Sequence, residues 1–175
     1  MRNTSQRVGI FVDLANIYHS AKHLHNANVN FAKLLKQLVG DRQLVRAISY
    51  VVSADPAKEK DFLKALSKSG FEIKSKDLQS FPGGMKKGNW DVGMAVDAIR
   101  MSSKIDVAII ISGDGDFCDL VEYLQHEGLL VEVVGFDSST SNILKEHADS
   151  FIDLDKYPDM LIKTNFLNKK QFPHE

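Results

Sequence analysis

The sequence predicts an α/β fold, a three-layer α/β/α sandwich around a mainly parallel central sheet of five to six strands. Short runs rich in β-branched residues alternate along the 175-residue chain with stretches of helical periodicity. Such alternation is typical of a parallel sheet with helices on both faces. Acidic residues also follow two of the apolar runs closely, as expected at the ligand-binding edge of a Rossmann-like sheet.

Apolar runs of strand length predict the strands. The runs at 8–12 and 107–111 are wholly apolar, which is typical of buried central strands. The last run, 150–153, is the shortest, so the predicted number of strands is five to six. The predicted strands are 8–12, 44–52, 71–75, 105–111, 129–135 and 150–153.

Helical spacing of apolar residues predicts a helix between successive strands. Asn30 can cap the second helix and Gly40 can end it. Pro56 opens the third helix, and Gly70 and Gly128 close the third and fifth. The predicted helices are 16–26, 31–38, 57–68, 90–101, 116–127 and 141–147. Residues 1–155 are therefore expected to form a single domain, followed by a C-terminal extension at 156–175.

Carboxylates end two of the predicted strands. Asp114 and Asp116 lie in a Gly-rich turn after the strand at 105–111, and Asp13 ends the first strand. If both strands are central and adjacent, their tips bring these three acids close together. Because neighbouring carboxylates raise each other's pKa, either one of them stays protonated or a cation binds there.

The helix at 90–101 carries two further acids. Asp91 lies in its first turn, and Asp97 is about 240° around and about 9 Å along the axis, so both cannot point at one small ion. We expect Asp91 to be the nearer metal ligand and keep Asp97 as a second candidate, the alternative being an acid that pairs with a lysine. Four apolar residues at helical spacing predict the buried face of this helix: Val92, Ala95, Val96 and Ile99.

Three ordered motifs carry a resemblance to a known family. They are FVDLAN at 11–16, the segment from Lys87-Gly88 through Asp91 to Asp97, and SGDGDF at 112–117. Together they resemble the NYN domain family, in its LabA-like (DUF88) branch, over residues 8 to 154. The resemblance implies a PIN-like nuclease fold and metal-dependent cleavage or processing of RNA.

The candidate site residues are hard oxygen donors, which suit Mg²⁺ or Mn²⁺ better than zinc. A bound ion of this kind can activate water and stabilise charge on a phosphodiester. We expect Asn16 to position a ligand or water, and Ser112 to orient Asp114. The acids assigned to the metal and to catalysis are Asp13, Asp91, Asp114 and Asp116.

A bare acidic site repels RNA, so basic residues are expected around it. Lys86 and Lys87 stand shortly before Asp91, and Lys74 and Lys76 follow the third strand towards the same edge. Such lysines could bind phosphates without reading base sequence. Trp90 could stack on an unpaired base. The alternative is that Trp90 packs against the sheet and the lysines stay in solvent.

Composition limits the function classes. The net charge of −1 does not indicate a globally basic nucleic-acid binder, so an RNA site must be local. The single Cys118 excludes an internal disulfide framework and a Cys-rich zinc site. With no apolar signal segment or membrane-spanning run, we expect a cytoplasmic protein without a membrane partner.

Three functions fit these observations. The first is a Mg²⁺- or Mn²⁺-dependent ribonuclease with RNA as its partner. The second is a non-catalytic regulator that binds RNA or protein on the same fold, and the third is a metal-dependent nucleotide phosphohydrolase. The extension at 156–175 is expected to be either a final docked helix or a segment for a homodimer or protein partner.

Overall fold

The computed structural model describes residues 3–53, 56–77, 79–80 and 86–163. The strands within these ranges are β1 (Arg7–Asp13), β2 (Ala27–Val29), β3 (Gln43–Ser53), β4 (Glu72–Asp77), β5 (Gln79–Ser80), β6 (Lys86–Lys87), β7 (Val107–Ile111), β8 (Leu130–Gly135), β9 (Ser150–Asp153) and β10 (Leu161–Lys163). The α-helices are α1 (Leu14–His25), α2 (Phe31–Val39), α3 (Pro56–Lys68), α4 (Asp91–Met101), α5 (Cys118–His126) and α6 (Asn142–His147).

Six of the strands form one parallel sheet in the order β4-β3-β1-β7-β8-β9. The chain builds outward from β1 through β3 to β4, then returns to place β7 on the other side of β1. Val12 of β1 pairs with Ile111 of β7. The strand order therefore reverses between β1 and β7, the position where open α/β sheets bind ligands.

Two apolar layers cover the faces of this sheet. Alternate residues of β1 point to opposite sides, so Ile10 and Val12 join one core and Phe11 joins the other. The first core is completed by α1 and α2. The second is completed by α4, α5 and α6. This arrangement confirms the predicted α/β/α sandwich.

The predicted strands and helices are all present, with ends that differ from the prediction by no more than two residues. The structure adds two short antiparallel pairs that the sequence did not predict, β2 with β10 and β5 with β6. Within the predicted C-terminal extension, β10 docks on β2 as a short strand and follows a 3-10 turn at Pro158–Met160. Residues 164–175 lie outside the described ranges.

The predicted buried face of α4 is wrong for three of its four residues. Val92, Val96 and Ile99 point outward, whereas Met94, Ala98 and Met101 face the sheet. The physical reason lies in Asp97, which accepts hydrogen bonds from the Tyr50 hydroxyl at 2.8 Å and from Lys74 Nζ at 2.6 Å. These bonds fix the rotation of α4 about its axis.

No helix in the described part of the chain is both long and apolar enough to cross a bilayer.

Candidate functional site

Asp13 connects the tips of the two central strands. It ends β1 and caps α1, where its Oδ1 accepts a hydrogen bond from the Asn16 backbone N–H at 3.2 Å. Its Oδ2 accepts a hydrogen bond of 3.2 Å from the Ser112 hydroxyl. Since Ser112 directly follows β7, this bond links the carboxyl ends of β1 and β7 at the switch point.

Asn16 and Ser112 hold the loop that follows β7. The side-chain oxygen of Asn16 accepts a hydrogen bond from the Gly113 backbone N–H at 2.9 Å. The fully buried Ser112 hydroxyl accepts one from the Asp114 N–H at 3.2 Å. We predicted that Ser112 orients Asp114, and the structure joins the two through the Asp114 backbone. Asn16 was expected to position a ligand or water, and here its oxygen positions the loop.

Asp114 and Asp116 lie on a tight turn that leads into α5. Asp114 Oδ1 accepts a hydrogen bond from the Asp116 backbone N–H at 3.0 Å, and the Asp116 side chain is exposed. The neighbouring Gly113 lies against the loop after β8, where an added Cβ would be 2.5 Å from the Ser139 carbonyl oxygen. Ser141 N–H donates to the Gly113 carbonyl at 2.9 Å. Glycine at 113 therefore lets two loops of the rim interlock.

Asp91 is the first residue of α4, which covers the face of the sheet that carries the second core. Asn89 Nδ2 donates a hydrogen bond of 2.6 Å to Asp91 Oδ2. Burial raises the pKa of Asp91, and the negative charges of Asp114 and Asp116 raise it further. The structure thus brings Asp91 into the electrostatic field of the turn after β7.

The charges of neighbouring acids also raise the pKa of Asp13. Burial raises the pKa of Asp13, the hydrogen bonds from Asn16 and Ser112 oppose that rise, and the charges of Asp91 and Asp114 add to it. The structure therefore places the predicted acids of β1, α4 and the β7 turn in one field of mutual repulsion. A field of this kind favours a bound cation or a retained proton.

Asp97 and Lys74 form a separate ion pair. Their Nζ–Oδ2 distance is 2.6 Å, and the Asp97 side chain is only 12% exposed. Although burial raises the pKa of Asp97, hydrogen bonds from Lys74 and Tyr50 lower it below its usual value. This is the lysine-paired arrangement considered as the alternative to metal binding. The ammonium group of Lys74, which was a candidate RNA contact, is therefore engaged by Asp97.

Trp90 and Lys76 pack on each other at the edge of β4. Lys76 Nζ lies 4.0 Å from the centroid of the Trp90 ring and donates to the Asn89 carbonyl at 3.2 Å. Trp90 Nε1 donates to the Val51 carbonyl at 2.8 Å, which holds the half-buried indole against the sheet. One face of the indole is therefore already covered by a cation.

The backbone of Lys86 and Lys87 forms β6, which pairs with β5. Their side chains lie outside what the structure describes, so their role in RNA binding stays a prediction.

The donor set fits a hard divalent cation by its chemistry, because carboxylate oxygens dominate it. Across the described ranges, however, no three His, Cys, Asp or Glu side chains converge closely enough to hold one ion. A single ion held by three of these carboxylates would therefore require their side chains to rotate towards one another.

Sequence reasoning did not assign two parts of this site. Asn89 donates a hydrogen bond directly to Asp91, but its position before the helix gave no sign of this role. The loop with Ser139 and Ser141 was given no role in the site. Its position after β8, the neighbour of β7, was the available signal, because adjacent parallel strands deliver their loops to the same edge.

Comparisons with known proteins agree with this fold. The family model described as NYN domain matches residues 7–155. The chain is 25% identical over 166 residues to the Low amplitude and bright protein LabA of Synechococcus elongatus, covering 90% of this chain and 89% of that protein. It is also similar to the crystal structure of a protein of unknown function from Vibrio parahaemolyticus, with 31% identity and a TM-score of 0.84 over 93% of this chain and 99% of that one.

Proposed function

Because the chain belongs to the NYN domain family, we propose that it is a metal-dependent ribonuclease that cleaves or processes RNA phosphodiester bonds. Family membership by itself indicates a nuclease-type or RNA-related function. One observation carries the finer proposal: the Ser112 hydroxyl bonds both the Asp13 carboxylate and the Asp114 N–H at the switch point, where a ligand is expected and where the charges of Asp91 and Asp114 raise the pKa of Asp13.

The ion in this proposal is Mg²⁺ or Mn²⁺. When bound, it would lower the pKa of a water molecule and offset the negative charge of a phosphodiester. The side chains proposed to hold it are Asp13, Asp91, Asp114 and Asp116. Three of them, Asp13, Asp91 and Asp114, accept hydrogen bonds in the structure, and ion binding would reorient these side chains.

The protein's own groups have separate roles in this proposal. Asn16 and Ser112 hold the turn that carries Asp114 against the end of β1. Lys76 lies beside the first turn of α4, where its charge opposes the rise in the pKa of Asp91. It is the described lysine best placed to meet a phosphate near the acids. Lys86 and Lys87 remain proposed as further RNA contacts, whereas the ammonium group of Lys74 is paired with Asp97.

A second function is favoured by a specific observation. The carboxylates do not converge on one point, and the indole of Trp90 is tied to Val51 and covered by Lys76. Both features suit a non-catalytic regulator that binds RNA or protein on this fold. The two functions differ in whether phosphodiester bonds break.

Incubation of the full chain with mixed RNA in Mn²⁺, in Mg²⁺ and in EDTA tests the proposal. We expect cleavage with a divalent ion, none in EDTA, and none from Asp114→Asn, which removes one charge and keeps the shape. Glu127→Gln is the matched control, since this exposed acid follows α5 at the opposite edge of the sheet. RNA binding without cleavage by the wild type in either metal would support the regulator, and cleavage by Asp114→Asn at the wild-type rate would refute the proposed site.

A further inference from the structure

An apolar stripe runs along the outer face of α4. Val92 is 77% exposed, Val96 38% and Ile99 39%. Their spacings of four and three residues place them on one side of the helix. Single exposed apolar residues are ordinary on protein surfaces, whereas these three lie in a row on one helix face.

We propose that this stripe is the interface of a homodimer in which α4 packs antiparallel against α4 of a second copy. The stripe is symmetric along the helix, with Val92 and Ile99 at its ends and Val96 near its centre. A two-fold axis close to Val96 would set Val92 of each copy against Ile99 of the other. A two-fold interface requires self-complementarity of this kind.

The charges at the two ends of α4 favour the antiparallel orientation. Its first turn carries Asp91, which lies in the field of Asp114 and Asp116. Arg100 in its last turn and Lys104 just beyond its end are both exposed. Antiparallel packing puts the acidic end of each helix beside the basic end of the other, whereas parallel packing would place like charges together.

The dimer has a consequence for the acidic site. Arg100 and Lys104 of the second copy would lie beside the first turn of α4 and supply positive charge at the rim, where an RNA phosphate would approach. This consequence rests on the proposed function, but the dimer itself does not. Its tests therefore measure association rather than cleavage.

The interface is small. A helix of 11 residues is about 16 Å long, and a single helix pair buries less than the roughly 800 Å² per partner of a standard interface. We therefore expect a weak, salt-sensitive dimer that forms in the micromolar range.

Sedimentation of the full chain over a range of micromolar concentrations tests the interface. We expect a monomer–dimer equilibrium in the wild type, with the dissociation constant raised tenfold or more by Val96→Glu or by Val92→Glu. Ile162→Glu is the matched control, because Ile162 is 52% exposed on β10, away from α4. Circular dichroism confirms that each variant is folded. A wild type that stays monomeric throughout, or equal effects of Ile162→Glu and Val96→Glu, would overturn the proposal.

Disulfide cross-linking tests the orientation, in a Cys118→Ala background that removes the native thiol. Antiparallel packing predicts that Val96→Cys cross-links to itself. It also predicts that Val92→Cys and Ile99→Cys cross-link when mixed and far less when alone. Efficient self-cross-linking of all three variants would show parallel packing, and cross-linking of none would show that α4 is not the interface. Either result overturns the proposal.

Charge reversal tests the complementarity of the ends. Arg100→Glu combined with Lys104→Glu should weaken the dimer at low salt, and the difference from wild type should shrink at high salt because screening removes the attraction. Lys64→Glu with Lys68→Glu on α3 is the control pair. Unchanged association in the α4 variant would refute the charge argument.

Discussion

Ser112 donates a hydrogen bond of 3.2 Å to Asp13, and this bond joins the carboxyl ends of β7 and β1. The same hydroxyl accepts a hydrogen bond from the Asp114 N–H. One buried side chain therefore contacts both Asp13 at the end of β1 and Asp114 in the turn after β7. Because β1 and β7 are paired neighbours in the sheet, no other strand lies between the two acids.

Removal of the Ser112 hydroxyl should destabilise the protein. Ser112→Ala leaves the Asp114 N–H without its acceptor and Asp13 without a donor, and the lost bonds at this buried position are worth about 1–2 kcal/mol of unfolding free energy. Urea denaturation measures the change. Ser102→Ala is the comparison, because Ser102 donates only to a carbonyl of its own helix end. Equal losses in the two variants would mean that the Ser112 bonds contribute nothing specific.

Asn16→Ala should loosen the turn that carries Asp114. The Gly113 N–H would lose its acceptor, which we expect to lower the unfolding free energy by about 1–2 kcal/mol. Asn16→Asp keeps an acceptor oxygen but adds a negative charge beside Asp13. Its stability relative to wild type should therefore recover as the pH falls and the carboxylates protonate. An Asn16→Asp deficit that does not change with pH would contradict this account.

Gly113 is needed because a side chain would clash with the neighbouring loop, and not because of its backbone φ angle. An added Cβ would lie 2.5 Å from the Ser139 carbonyl oxygen, so Gly113→Ala must push two loops apart and should reduce stability by about 1–3 kcal/mol. Gly115→Ala is the matched variant, because its Cβ would meet the Ser141 hydroxyl, which can rotate away. Thermal unfolding should show a smaller loss for Gly115→Ala. The reverse order would contradict the interlocked loops.

The positions of the acids could be predicted from the sequence, and their surroundings could not. Apolar runs predicted β1 and β7. Because parallel strands have their carboxyl ends at the same edge of the sheet, Asp13 and Asp114 could then be placed at one edge. Partners distant in the sequence carry no local signal, so the bond that the Gly113 N–H donates to Asn16 was not foreseen, and the packing of Trp90 against the sheet was foreseen only as an alternative, without its partner Val51. The strands β2 and β10 have three residues each, too few to show periodicity.

The rotation of α4 shows a second limit. Apolar residues occupy both sides of this helix, with Val92, Val96 and Ile99 on one and Met94 and Ala98 on the other. Helical periodicity detects each stripe equally and cannot say which one meets the sheet. The polar contacts of Asp97 decide between them, and they depend on strands about 20 or more residues away in sequence.

Stability at acid pH should depend on Asp106 at the amino end of the sheet. Side-chain and backbone hydrogen bonds from Arg7 lower the pKa of Asp106 to about 2. A depressed carboxyl pKa stabilises the fold above the pKa of the unfolded chain, and this contribution disappears as the pH falls from about 4 to about 2. Asp106→Asn should therefore be less stable than wild type at neutral pH and approach it near pH 2. Because the pair is exposed, we expect a small difference, which paired urea titrations at several pH values would resolve.

Metal binding and the role of Asp97 can be separated by thermal unfolding. An ion that binds only the folded state raises stability by RT ln(1 + [L]/Kd), which is about 2.7 kcal/mol at one hundred times Kd and several degrees in Tm for a chain of this size. We expect Mn²⁺ to raise the Tm of the wild type and to have little effect on Asp114→Asn.

Asp97→Asn should behave differently if its ion pair with Lys74 is its main role. The variant loses charge at a contact that fixes the rotation of α4, so its Tm without metal should fall. The increment added by Mn²⁺ should remain, because the acids near β1 and β7 are intact. Loss of that increment in Asp97→Asn, with its circular dichroism unchanged, would instead make Asp97 a metal ligand. Lys74→Met provides the control, since it breaks the same ion pair without removing an oxygen donor and should lower the Tm while preserving the response to Mn²⁺.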